Sequence, residues 1–197
     1  MPRGRPRKFD REQALQIALQ LFWTHGYEGT SVALLADRMG IKIPSLYAAF
    51  GNKEALFMEA VRYYGQHNGG FYHQAMKLPT SRQVAQYILD HEIKLVTMPD
   101  APDGCLMVQG ALVTSPESDQ IRQMMATLRR TAEGWMADRF QQAKDEGDLP
   151  ENADPKALAC YIMTVNSGLA VQAKSGATRD ELIQVVKIAM ANWPTPN

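Results

Sequence analysis

Five cations crowd the first eleven residues, Arg3, Arg5, Arg7, Lys8 and Arg11, against one acid, Asp10. Side chains of this type neutralise phosphates. The excess is local. Residues 1–62 carry nine Lys/Arg and six Asp/Glu, a net of +3, in a chain of 197 residues whose 21 basic and 21 acidic side chains balance. A basic front end on a neutral chain points to an anionic partner contacted locally, and nucleic acid is the obvious one. A second set follows in residues 30–53. Ser45 can bond a phosphate or a base edge, and Tyr47 can set its hydroxyl on a phosphate and its ring against a thymine methyl. Lys42 and Lys53 bracket that stretch and can neutralise phosphates. Thr30, with Ser31 beside it, can cap a helix and turn backbone N–H groups toward another phosphate.

Elsewhere the chemistry is sparse. Cys105 and Cys160 are the two cysteines and form no CxxC pair, so neither a zinc site nor a redox dithiol is indicated. Cys105 follows Gly104 at an expected helix start, where the dipole lowers a thiol pKa, so it reads as a sensing thiol or as a buried inert one. His67, His73 and His91 match no standard metal spacing. No nucleophile with a base, phosphate loop or paired carboxylates appears, so the expectation is no enzyme, no metal and no cofactor. No signal segment and no run of about 20 apolar residues is present, which argues for a cytoplasmic location without a membrane.

The elements that must position these groups are helices. Apolar residues recur at helical spacing, and about nine helices are expected in an all-α chain. They cover residues 11–25, 31–39, 44–50, one from Asn52, 81–97, 104–113, one from Ser115-Pro116 to Gly147, one from Asp154-Pro155, and a last one opened by a Thr178/Glu181 capping box. Gly69-Gly70 reads as a break. The expected division is a basic arm (1–8), a helix-turn-helix domain (9–68) and a helical ligand-binding and dimerisation domain (69–197).

The helix-turn-helix rests on the "MGIK" turn (39–42). Gly40 can adopt positive φ at a helix end, and Ile41 can pin the turn to the core. Pro44 falls in the first turn of the next helix, where its missing N–H costs nothing. Leu46 and Phe50 then face inward, and Ser45, Tyr47 and Ala48 outward. A helix so placed offers its first turn to the major groove.

The stretch "LFWTHGYEGTSVALLADRMGIKIPSLYAAFGNKEALF" (21–57) resembles the DNA-binding domain of TetR-family regulators. The likeness spans roughly residues 9–60. It is carried jointly by F-x-x-x-G-Y-x-x-T-S, A-x-x-x-G-I, L-Y-x-x-F and K-E-A-L. It implies an all-helical homodimer, a ligand-binding C-terminal domain, and repression of a double-stranded operator relieved by a small molecule. Lys42 and Ile43 depart from the serine and basic residue common in the family, and Ala48-Ala49 stand where it often carries histidine. The arm "PRGRPRK" (2–8) is similar to an AT-hook, which lays arginines along a narrow minor groove. A solvated tail raising non-specific affinity is the other reading.

Two C-terminal segments, 157–171 and 182–193, are apolar around too much of their circumference for one small domain. Pairing with their copies in a four-helix bundle makes a homodimer. Residues 70–150, with part of 155–175, are then left to enclose a pocket for an unknown effector. Phe71, His91, Cys105, Met125, Trp135, Tyr161 and Met163 are its candidate contacts. The reading is a sequence-specific regulator, a repressor released from a palindromic operator by a small molecule. The alternative is a DNA-binding regulator with no effector, or with a Cys105 switch sensing electrophiles or oxidants.

Overall fold

A computed structural model describes residues 9–196. Among them are ten α-helices, one 3-10 turn and no strand. The head is built from α1 (Arg11–His25), α2 (Val32–Met39), α3 (Ile43–Phe50) and the first part of α4 (Lys53–Asn68). Asp10 caps α1 and Asn52 caps α4, each accepting from backbone N–H groups of the first turn. Gly40 closes α2 in the left-handed region (φ 65°, ψ 30°), as the turn chemistry requires. Phe22, Tyr27 and Phe57 form an edge-on aromatic cluster with centroids 5.0 and 5.1 Å apart around Phe57. Leu35, Leu46, Phe50 and Leu56 complete this core. Arg11 is engaged within the head although its side chain is half exposed. Its guanidinium forks onto Glu59 at 2.6 and 2.7 Å and lies over the Phe50 ring.

The remainder comprises α5 (Gly70–Ala75), α6 (Ser81–Val96), α7 (Leu106–Gln109), a 3-10 turn (Pro116–Ser118), α8 (Asp119–Asp145), α9 (Pro155–Lys174) and α10 (Arg179–Ala191). Three expectations change. The Gly69-Gly70 break is a single-residue interruption, and α5 resumes at once; this is the tenth helix. The apolar run 104–113 yields only one helical turn. Its flanking carbonyls are engaged elsewhere: the Gly104 oxygen accepts from the Trp23 indole at 3.0 Å, and the Gly110 oxygen accepts from the Tyr27 backbone N–H at 2.7 Å. Gly104 also sits at φ 85°, outside the helical region, so the helix cannot begin before Cys105. Pro116 opens the 3-10 turn rather than α8 itself.

Those two bonds also join head to body. The Ser115 N–H adds a third by donating to the Glu28 carboxylate at 2.9 Å. Gly26 makes the approach possible. Its φ is 71°, and a Cβ there would meet the Gly110 carbonyl oxygen at 3.3 Å.

On the body's far side, α9 and α10 pack on each other and on α6, with Leu169, Ala170, Leu182, Val186 and Met190 buried. Their outer faces still expose Tyr161, Val171 and Val185, and Ile188 is 73% exposed. No helix among the described residues is long and apolar enough to cross a membrane.

Candidate nucleic-acid interface and ligand cavity

The short helix α3 divides as its spacing requires. Leu46 and Phe50 are buried, while Pro44, Ser45, Tyr47 and Ala48 are exposed, Tyr47 at 44%. Lys42 is the N-cap residue and offers no side-chain cap, so its ammonium is free to point outward. Ser31 caps α2, its hydroxyl oxygen accepting from the Leu34 N–H at 3.1 Å. The serine O–H proton is left to donate to a phosphate. Thr30 is a correction. It neither caps α2 nor reaches solvent; it is fully buried and donates to the Gly26 carbonyl at 2.8 Å, pinning the α1–α2 turn. Lys53 is partly withdrawn. Its ammonium sits 4.1 Å from the Tyr27 ring centroid, and burial lowers its pKa while Glu28 opposes that shift. Ile43 was missed by sequence reasoning. It is exposed at the start of α3 and falls outside the Leu46/Phe50 stripe, which is the signal that could have found it. Arg3, Arg5, Arg7 and Lys8 lie outside the described residues.

The body holds a cavity of about 530 Å3 between α4, α5, α6, α7, α8 and α9. Phe71, Cys105, Trp135 and Met163 line it, as the sequence suggested. Three other candidates do not. His91 turns away from it, stacked between Phe71 and Tyr87 at 5.3 and 4.2 Å. Met125 is fully buried in the core. Tyr161 is on the outer face of α9, its hydroxyl donating to the Ala189 carbonyl at 3.1 Å.

The cavity's polar groups are ones sequence reasoning did not select. Glu92 is 1% exposed with Oε1 unpartnered, and Asn166 is 3% exposed with Oδ1 unpartnered. The Tyr64 hydroxyl donates to the Cys105 Sγ at 3.4 Å, and Tyr72 reaches the Met163 sulfur at 3.8 Å. Arg129 donates to the Met107 carbonyl at 2.9 Å. Burial pushes the Glu92 carboxyl up to about 7, against the Asn166 and Cys105 side chains, which favour its charged form. Burial, reinforced by Glu92, pushes the Cys105 thiol up to about 12. Of the two readings of Cys105, the geometry favours the buried thiol: α7 has four residues, and desolvation outweighs its end. The signal for Glu92 was a carboxylate in the apolar stripe Ile88, Leu89, Ile93 and Val96. Among the described residues, no three His, Cys, Asp or Glu side chains gather to hold a metal ion.

Comparison with known proteins agrees with both halves of this geometry. The model for bacterial regulatory proteins of the tetR family matches residues 14–60, and that for the tetracyclin repressor-like C-terminal domain matches 85–189. The chain is 32% identical to the HTH-type transcriptional repressor ComR of Escherichia coli K12, over 98% of this chain and 92% of ComR. It is 29% identical to the HTH-type transcriptional repressor BdcR of the same organism, over 94% of this chain and 90% of BdcR. A cysteine-substituted TetR family regulator CifR, solved with 26-bp double-strand operator DNA, superposes with a TM-score of 0.91 at 39% identity, covering 97% of this chain and all of that one. Two family models that together match more than half of the chain, and a 32% identical relative covered almost end to end, show that this chain belongs to the TetR family of bacterial transcriptional regulators.

Proposed function

We propose that this regulator is a cytoplasmic repressor that binds an inverted-repeat operator as a homodimer and leaves it when a small molecule fills the cavity. The exposed face of α3 enters the major groove. Ser45, Tyr47 and Ile43 meet base edges, while Lys42, Lys53 and Ser31 hold phosphates. Pro44 sets the first turn of that helix. The arm with Arg3, Arg5, Arg7 and Lys8 follows the adjacent minor groove. The exposed apolar stripes of α9 and α10 pair with their copies, which spaces the two reading helices along the duplex.

One observation carries the ligand response. The loop that bears Cys105 and α7 is both a wall of the cavity and the anchor of the head, through Trp23, Tyr27 and Glu28. A molecule that displaces α7 must move the α1–α2 turn, and with it the spacing of the two heads. DNA and ligand then oppose each other through one coupling free energy, and the effect is reciprocal.

The test starts from a compound library scored by the rise in Tm of the DNA-free protein. Cavity ligands found in this way should weaken operator binding, and operator should weaken their binding by the same factor. Ligands that occupy the cavity and leave operator affinity unchanged would overturn the proposal.

A further inference from the structure

Glu92 is out of place for a packing residue. It occupies the apolar stripe of α6, fully buried, and no described protein group bonds its Oε1. Asn166 presents a second buried acceptor, Oδ1, from α9. Both residues line the cavity. A folded chain rarely leaves buried acceptors without donors, so a donor is the missing chemistry. The other walls are mainly apolar, with Phe71, Tyr72, Leu95, Leu128 and Trp135, and polar side chains such as Arg62, Gln66, Arg129 and Ser167 reach it elsewhere.

The charge of the donor follows from its neighbours. Arg129 and Arg62 line the same cavity, so an ammonium would share it with two permanent cations. A carboxylate would face the Glu92 charge directly. A neutral hydroxyl meets neither penalty. We propose that the cavity takes a neutral, mainly apolar molecule bearing a hydroxyl group, and that this hydroxyl donates to the Glu92 carboxylate beside Asn166. The inference rests on the reading of this cavity as the effector site.

The groups facing Glu92 are the Tyr64 hydroxyl from α4, Tyr72 from α5, the Cys105 thiol ahead of α7 and the Asn166 amide from α9. Burial holds the two tyrosines and the cysteine above the neutral range. His73 on the cavity wall and His91 beside Glu92 on α6 are retained in the variant used below.

The test compares 2-naphthalenemethanol with its methyl ether, by calorimetric titration of the full-length, DNA-free protein. The ether keeps the ring and the oxygen, and a methyl group replaces the hydroxyl proton, so it lacks the donor. The scan runs from about pH 6 to about pH 8, around the Glu92 value of about 7. The alcohol should bind about tenfold or more tightly than the ether at the upper end, where the acceptor is charged. Its affinity should rise through the scan, and Glu92→Gln should remove that rise. In the wild-type protein the alcohol's rise with pH, absent from the ether, separates loss of the donor from the bulk of the added methyl group without any variant. An ether that binds as tightly as the alcohol, no binding of either compound at millimolar concentration, or a pH rise that persists in Glu92→Gln would each overturn the proposal. The titration contains no DNA, so its failure leaves ligand-driven operator release standing. Failure of release, with this binding intact, removes only the regulatory reading.

Discussion

Glu92→Gln should stabilise the free protein at neutral pH and leave it little changed in mild acid. The carboxyl ionises at 4.5 in the open chain and at about 7 in the fold, where it is fully buried. A raised carboxyl pKa means that the native state holds its proton more tightly than the unfolded state. Stability from this group is therefore fully present below 4.5, falls as pH climbs from 4.5 to about 7, and is flat above. At about 1.4 kcal/mol per pH unit, the loss amounts to about 3 kcal/mol. Glutamine keeps the shape and cannot titrate. The assay is urea unfolding of both proteins at one fixed protomer concentration, across that pH window. Glu28 and Glu181 have lowered pKa values in both proteins, so their acid loss cancels in the difference. The gap between variant and wild type should widen by about 3 kcal/mol as pH rises from 4.5 to about 7. A gap that stays constant, or one that narrows, would refute the burial argument.

Three further outcomes follow from named contacts. Tyr47→Ala should leave stability within about 0.5 kcal/mol, because the side chain is exposed, and should cost operator binding about 1–3 kcal/mol, read by fluorescence anisotropy. Ile188→Glu places a charge on the exposed stripe of α10 and should yield a folded monomer with much weaker operator binding, checked by sedimentation and circular dichroism. Cys105, with its thiol pushed up to about 12, should resist iodoacetamide in the native protein at neutral pH and react in urea, as mass spectrometry of its peptide would report.

Much of the head could be read from the sequence because its geometry is local. The Gly40 turn, the proline at the start of α3 and the Leu46/Phe50 spacing each fix backbone within a few residues. Thr30 and Ser31 mark the limit of that reading. Either hydroxyl can cap a helix, and only the packing of Thr30 beneath the α1–α2 turn decides between them. The run 104–113 failed for a long-range reason: its carbonyls answer donors at Trp23 and Tyr27, about eighty residues earlier. The cavity was the least legible part. Six helices contribute to its walls, and periodicity says which face is apolar but not where side chains fail to meet. His91 and Glu92 are adjacent on α6, yet one residue's rotation sends only Glu92 into the cavity.

If the exposed face of α3 reads DNA sequence as one half of a symmetric pair, the preferred sites must be palindromic. Selection of bound fragments from a random duplex pool, at near-physiological salt, tests it most directly. One inverted repeat should be enriched, with half-sites about one helical turn apart, or a near multiple, and Ser45→Ala and Tyr47→Ala together should abolish that enrichment. Binding that falls with salt while no motif is enriched would contradict it, because the basic front end would then grip phosphates alone.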